Sequence, residues 1–89
     1  MGKSTYGTIS ADTTTRFVDL SEQFDYTIIV NDDSTYSAYI TFSASADKVT
    51  SRIGFELKPK EQLVWTVPHR YINYIATSAI SMRYASGKY

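Results

Sequence analysis

Aromatic and β-branched residues alternate with small polar residues through the middle of the chain, which is the period of a strand with one buried face. The alternation is clearest in residues 35–43. One face of this run carries Tyr36, Ala38, Ile40 and Phe42. Tyr39 is the aromatic residue on the opposite, polar face, so we expect it to contact a partner. The run Tyr26–Asn31 is apolar on both faces near its middle, which predicts a central strand.

Turn residues between these runs predict which strands are neighbours. The segment 31–34, Asn-Asp-Asp-Ser, predicts a turn because Asx side chains bond to their own backbone. Tyr26–Asn31 and Thr35–Ser43 are therefore expected to form a hairpin. Tyr71–Ala76 and Ala79–Tyr84, joined by Thr-Ser, predict a second hairpin near the end of the chain.

Two more strands are predicted on either side of the turn Pro59-Lys60, at Arg52–Leu57 and Glu61–Val67. In the second of these, Trp65 lies on the same face as Leu63 and Val67, which favours a core position. The alternative is an aromatic platform, formed with nearby Tyr residues, on which sugar rings or bases stack.

Short strands at intervals of about eight to twelve residues predict an all-β fold, a small antiparallel β-sandwich or barrel of about six to eight short strands. The chain has 89 residues, enough for one domain, which we place at 16–89. Residues 1–15 are rich in Thr, Ser and Gly. They are expected to form either an N-terminal arm or an edge strand, and the tail 86–89 is expected to be loose unless a partner holds it.

Composition excludes some classes of protein and favours contact with other proteins. The chain has no Cys, which excludes a disulfide scaffold and a Cys-based metal site. It has eight Tyr, a residue type enriched at interfaces. The residues that we expect at an interface are Tyr6, Tyr39, Arg70, Tyr74, Arg83 and Tyr89.

The charges balance overall but not along the chain. The formal net charge is zero, which argues against nucleic acid or a membrane surface as the partner. Residues 1–44 hold two Lys or Arg against six Asp or Glu, and residues 45–89 hold seven against three. Either the molecule has faces of opposite sign that join copies, or strands of the two halves pair and mix the charges, and we favour the second. No apolar run approaches the ~20 residues of a membrane span, and no signal peptide is expected.

The sequence offers no catalytic, metal or cofactor site, so we expect neither an enzyme nor a cofactor. His69 is the only histidine; it follows Pro68 in an expected loop and is predicted to be a surface or structural residue. The run 32–34 is better explained as a turn than as a calcium loop, because the glycine and terminal Glu of such loops are missing. Glu56 and Glu61 alternate with lysines, which predicts solvated ion pairs rather than a glycosidase pair.

A string of local motifs resembles the small virion proteins of tailed bacteriophages. TIIVN is followed by Asp and Ser and then by YITFS; the chain closes with YINYIATSA and MRYA. Between them stand Gly54, Leu57, Pro59, Glu61 and Trp65. Where the usual pattern has Pro-Gly-Glu, this chain has Pro-Lys-Glu, so its turn type is expected to differ. The resemblance implies a capsid cement or decoration protein, a neck component or a tail-fibre module, without an active site, in a particle assembled in the bacterial cytoplasm.

The function that we expect is therefore that of a phage capsid cement or decoration protein. It would act as a homo-oligomer or at subunit junctions, through Tyr-rich contacts with the major capsid protein or other virion proteins. One alternative is a tail, neck or fibre module, including a carbohydrate-binding sandwich that uses Trp65. Another is a small intracellular inhibitor of a host enzyme, whose uneven charge imitates a ligand surface.

Overall fold

Eight antiparallel strands form two four-stranded sheets, and the all-β sandwich predicted from the sequence is confirmed. The computed structural model describes residues 3–45, 49 and 53–89. The strands are β1 Ser4–Ala11, β2 Arg16–Phe24, β3 Tyr26–Asn31, β4 Ala38–Ser43, β5 Phe55–Leu57, β6 Gln62–Trp65, β7 His69–Ala76 and β8 Ile80–Gly87. The start of the strand predicted at Arg52–Leu57 lies outside the described residues.

The chain crosses between the two sheets at every connection except the one from β4 to β5. Sheet A has the order β1–β8–β3–β6, and sheet B has the order β2–β7–β4–β5. This strand order is that of a jelly roll, in which two Greek keys interlock. Both predicted hairpins are therefore wrong, because β3 and β4 lie in different sheets and so do β7 and β8. Turn residues specify that the chain reverses, but not whether the second strand pairs with the first or packs across from it.

The core lies between the sheets and follows the alternation seen in the sequence. In β4, Ala38 and Ile40 are fully buried and Phe42 packs against the core, as predicted; Tyr36 precedes the strand and is exposed. The buried cluster consists of Ile9, Ala11, Leu20, Phe24, Ile29, Ala38, Ile40, Leu57, Ile72, Tyr74, Ala76, Ile80 and Met82. Each large aliphatic side chain buried in this way contributes roughly 1.5–3 kcal/mol.

The two ends of the chain are held in sheet A. Ser4–Ala11 form the edge strand β1, paired with β8 along its whole length. The prediction of a loose tail is wrong, because Gly87 pairs with both β1 and β3 and the Lys88 N–H donates to the Lys3 carbonyl at 2.8 Å. The reason is that β8 lies between two strands, so its last residues gain hydrogen bonds on both sides.

Charges of the two halves of the sequence mix in the folded molecule, as predicted. Among the described residues, three ion pairs join an acid of the first half to a base of the second: Asp19–Arg70, Asp32–Arg83 and Glu22–Lys88. Strand pairing brings the first two pairs together, whereas Glu22–Lys88 joins β2 of sheet B to the end of β8 in sheet A.

Candidate interaction surface

A row of apolar side chains crosses the outer face of sheet A. Tyr6 of β1 lies opposite Ala85 of β8, Ala85 lies opposite Ile28 of β3, and Ile28 lies opposite Val64 of β6. Directly opposite residues of neighbouring strands project to the same face. Tyr6 is 83% exposed and Val64 is 50% exposed. The row therefore presents apolar surface from all four strands to the outside.

A second row runs beside the first and completes a shallow groove. It carries Thr8, Arg83, Val30 and Gln62 on successive strands. The Arg83 guanidinium donates two hydrogen bonds to Asp32, at 2.8 and 2.9 Å. These bonds lower the pKa of the Asp32 carboxyl. They also hold the Arg83 guanidinium at the rim of the groove, beside the apolar row.

The surface continues toward the C-terminus. The ring of Tyr26 lies directly over Gly87, where a Cβ atom would collide with it. Tyr26 also packs against Tyr89, with ring centroids 5.5 Å apart. Both aromatic residues share a second shallow groove with Ile28 and Val64. We call the continuous surface the sheet-A face; its residues are Tyr6, Tyr26, Ile28, Val30, Val64, Ala85 and Tyr89.

Three of the six predicted interface residues meet at this surface. Tyr6 and Tyr89 belong to the sheet-A face and are more than four-fifths exposed, and Arg83 lines its groove. Tyr74 lies elsewhere. It is only 6% exposed, because Ile72, Tyr74 and Ala76 project from β7 into the core, so its ring is not available to a partner in this fold.

Tyr39 and Arg70 lie on sheet B, apart from the other predicted residues. Tyr39 is half-buried and opposes Ile75 and Glu56. Arg70 donates to both carboxylate oxygens of Asp19, at 2.9 and 3.1 Å, and its guanidinium lies 5.4 Å from the Tyr71 ring centroid. The predicted set is thus divided between the two outer faces and the core.

Sequence reasoning missed the aliphatic residues that make the sheet-A face continuous. Ile28 and Val30 alternate with the buried Ile29 in β3, and Val64 stands beside Leu63 in β6. The signal was present, since Tyr26–Asn31 is apolar on both faces. The prediction of a central strand is right, since β3 lies between β8 and β6, but the outer face of β3 is uncovered.

His69 has the structural role that was one of its two predicted alternatives, and it lies in a buried polar network rather than in the expected loop. It begins β7 and is nearly inaccessible, as are Thr27 and Ser86. Its Nδ1–H donates to the Val67 carbonyl at 2.7 Å, so Nε2 accepts the hydroxyl of Thr27 at 2.5 Å. The Ser86 hydroxyl donates in turn to Thr27 at 2.5 Å. Burial lowers the pKa of His69, and the network links the two sheets with a neutral imidazole.

Trp65 packs in an aromatic cluster at the open edge of the sandwich. Its ring stacks on Phe42, with centroids 5.1 Å apart and planes at 12°, and Phe55 lies 5.4 Å away. Trp65 is half-buried and lies outside the buried cluster, so it packs at the edge of the core rather than in the predicted core position. Val67 was expected to share that face, but β6 ends at Trp65 and Val67 is 56% exposed.

The turn after β3 is held by a side chain rather than by a metal ion. Asp33 Oδ2 accepts the backbone N–H groups of Thr35 and Tyr36 at 2.7 and 2.6 Å, which agrees with the predicted turn. Within residues 3–45, 49 and 53–89, no group of three His, Cys, Asp or Glu side chains is placed to hold a metal ion. The same residues contain no helix with the length and apolar character needed to cross a membrane.

No known protein family, curated protein or solved structure matches this chain.

Proposed function

We propose that this protein is a structural component of a bacteriophage virion, a capsid cement or decoration protein whose sheet-A face docks on the major capsid protein or another virion protein. The observation that carries the proposal is the apolar row Tyr6–Ala85–Ile28–Val64 on the outside of a four-stranded sheet. Contiguous apolar surface on the outside of a protein commonly marks a binding site.

The composition of the sheet-A face suits a protein partner. Tyrosine supplies a large apolar ring with a polar tip and loses little conformational entropy on binding. Ile28, Val30 and Val64 are β-branched and already fixed by their strands. Arg83, paired with Asp32, gives the apolar row a charged rim of the kind that surrounds protein interfaces.

The arrangement also suits a cement mechanism. A standard protein contact buries about 1,600 Å² in total, and its affinity depends on a few well-packed anchors rather than on area. A modest contact, repeated at every equivalent position of a shell, raises the barrier to opening the whole shell. Jelly-roll sandwiches recur among viral capsid proteins and also among lectins, so the strand order supports the proposal by analogy alone.

Two alternatives draw less support from the described residues. A carbohydrate-binding platform on Trp65 would use a well-exposed ring, whereas Trp65 is half-buried, stacked on Phe42 and next to Phe55. An inhibitor that imitates a charged ligand needs unpaired charge, and Asp19, Asp32 and Glu22 are paired with bases of the second half of the chain. The sheet-A face depends on neither feature.

The first test is the copy number of the protein in purified particles of the phage that encodes it, measured by quantitative mass spectrometry. A cement protein is expected in a fixed, large ratio to the major capsid protein. A few copies per particle would move the protein to the neck or tail, and absence from particles would overturn the proposal.

The second test compares two lysine substitutions at valines of similar exposure. Val64→Lys places a charge in the middle of the sheet-A face and is expected to reduce incorporation into particles by roughly tenfold or more, since a lysine is costly to bury. Val67→Lys is the matched control, because Val67 is equally exposed but does not line either groove of that face. Equal incorporation of the two variants, with both folded by circular dichroism, would exclude the sheet-A face as the docking surface.

A further inference from the structure

The four edge strands of the sandwich differ in how they are protected against pairing with another chain. β5 has three residues and β6 has four. β2 is interrupted by a register shift between Asp19 and Phe24 and carries charged side chains. Short length, irregularity and charge are the devices that keep sheet edges from pairing. β1 has none of them: it has eight residues, no charge and no proline, and its register with β8 is regular.

The free edge of β1 presents a defined set of backbone groups. The Lys88 N–H donates to the Lys3 carbonyl, so residue 3 points its backbone groups toward β8. Backbone direction alternates along an antiparallel strand, and residues 5, 7 and 9 therefore face β8 as well. The residues whose N–H and C=O groups point away from β8 are Ser4, Tyr6, Thr8 and Ser10. No strand among the described residues pairs with this side of β1.

We infer that β1 pairs antiparallel with β1 of a second copy of this chain, around a twofold axis at Gly7. Residues whose side chains face the core must oppose residues of the same kind in the second copy. This requirement excludes every register that pairs an even-numbered residue with an odd-numbered one. Of the remaining registers, the one that places Gly7 opposite its own copy uses the edge most fully. It pairs Ser4 with Ser10 of the second copy and Tyr6 with Thr8 of the second copy, and forms about eight backbone hydrogen bonds.

Charge at the two ends of β1 favours the same arrangement. Lys3 and Lys88 lie together at the start of the strand, where both contact Glu22. Asp12 and Asp33 lie together at its end, beside Ala11; Arg16 pairs with Asp12, so Asp33 supplies the negative charge of this end. Antiparallel pairing brings the basic end of one copy to the acidic end of the other, whereas parallel pairing would place like charges together.

The dimer would join two copies of sheet A into one eight-stranded sheet. The two Tyr6 side chains become diagonal neighbours across the twofold axis, a separation of about 7–8 Å that aromatic rings can bridge. The two sheet-A faces then form one surface with twofold symmetry. The dimer itself is inferred from the strand edge; its use in capsid binding, where two linked faces bind more strongly than one, rests on the proposed function.

Sedimentation equilibrium of the full chain tests the inference. We expect a dimer, and we expect Thr8→Pro to raise its dissociation constant by roughly tenfold or more, because each copy loses a central N–H donor. Proline is tolerated here within one copy, since the Thr8 N–H points away from β8. Thr8→Val is the matched control, which keeps the N–H and should dimerise like the unaltered chain. A monomeric unaltered chain, or a folded Thr8→Pro variant that dimerises normally, would overturn the inference.

Amide hydrogen exchange on the unaltered chain gives a readout that does not depend on whether Thr8→Pro folds. The amides of residues 5, 7 and 9 are bonded to β8 and should be protected at all concentrations. The amides of Ser4, Tyr6, Thr8 and Ser10 should become protected only as the protein concentration rises through the dimer dissociation constant. Fast exchange of these four amides at every concentration would contradict the pairing.

The outcomes separate this inference from the proposed function. A dimer with the expected exchange pattern, in a protein that is absent from particles, leaves the inference standing and removes the cement role. A protein that is abundant in particles, monomeric in solution and incorporated equally well with Thr8→Pro leaves the cement role standing and removes the dimer.

Discussion

At the scale of single residues, the buried hydroxyl of Thr27 is the group whose hydrogen bonds matter most for how the two sheets pack. It is fully buried, and its one hydroxyl group both donates to His69 and accepts from Ser86. Buried polar atoms are costly when they lose their partners, so the three residues depend on one another. The network connects β3 and β8 of sheet A to β7 of sheet B and thereby fixes how the sheets meet.

Replacing Thr27 with Val is expected to lower the free energy of unfolding by about 1–3 kcal/mol. The substitution keeps the shape of the side chain but leaves Nε2 of His69 without its donor and the Ser86 hydroxyl without its acceptor. Thr66→Val is the control, because Thr66 is exposed and directly follows the neighbouring strand β6. A change within about 0.5 kcal/mol is expected there. Urea denaturation of both variants measures the difference; equal stabilities would show that the network contributes nothing.

At the scale of elements, β2 is the strand whose course departs most from regular pairing. Asp19 opposes Tyr71 and Phe24 opposes His69, so four residues of β2 lie across from one of β7. Ser21, inside this irregular stretch, has a φ angle of 72°, and Asp19 Oδ1 accepts its N–H at 2.8 Å. Leu20 and Phe24 are both buried in the core on either side of the irregular stretch, while the edge itself stays unsuited to pairing.

The positive φ angle of Ser21 predicts that glycine is tolerated better there than at a second exposed serine, Ser81. At Ser21, glycine relieves a conformation that costs an L-residue about 1 kcal/mol, which offsets the extra freedom of the unfolded chain. At Ser81, in the regular strand β8, glycine has nothing to relieve and should destabilise by about 1 kcal/mol. We therefore expect Ser21→Gly to be more stable than Ser81→Gly in thermal or urea unfolding. The reverse order would mean that the Ser21 conformation carries no strain.

At the scale of the whole molecule, the two ends of the chain and the middle of β2 meet at one ionic site. Glu22 is bonded to both Lys3 and Lys88, and these contacts lower its pKa to about 2. Ion pairs also lower the pKa values of Asp12, Asp19 and Asp32. The acidic and basic halves of the sequence are thus joined by contacts that need ionised carboxylates.

Acid is accordingly expected to destabilise the fold. A carboxylate whose pKa is lowered by folding stabilises the protein above its ordinary pKa, and this contribution is lost as the pH falls toward the folded value. The free energy of unfolding should therefore fall between about pH 5 and pH 2, and less steeply at high salt, since these groups are exposed. His69 acts in the same direction: its pKa lies below the ordinary 6.5, so its contribution is complete above about pH 6.5 and declines below it.

Two substitutions of a carboxylate by a neutral amide isolate the contribution of Glu22 to this pH dependence. Glu22→Gln should flatten the dependence of stability on pH below about 5, because the variant has no carboxylate to protonate at that site. Glu56→Gln is the control that removes a carboxylate elsewhere, at a residue for which the described residues include no ion-pair partner. Circular dichroism during urea titrations at several pH values measures both curves, and identical slopes for the two variants would contradict the role of Glu22.

The candidate site could be predicted only in part. Tyr6, Tyr89 and Arg83 were found because exposed Tyr and Arg are typical of interfaces, whatever the fold. Tyr74 is a residue of the same type, but it is buried, because it lies on the side of β7 that faces the core. The aliphatic half of the sheet-A face was missed, since an apolar residue is interpreted as core until the outer side of its sheet is known to be uncovered.

Local sequence patterns are enough to predict that the chain is all-β, where most strands lie and which face of β4 is buried. These features depend on backbone alternation and turn chemistry, which act over a few residues. Tertiary structure alone decided that consecutive strands lie in opposite sheets, that β1 is a free edge and that Tyr6, Ile28 and Val64 form one row. Strand partners are chosen among residues far apart in the chain, and local patterns are the same whichever partner a strand takes.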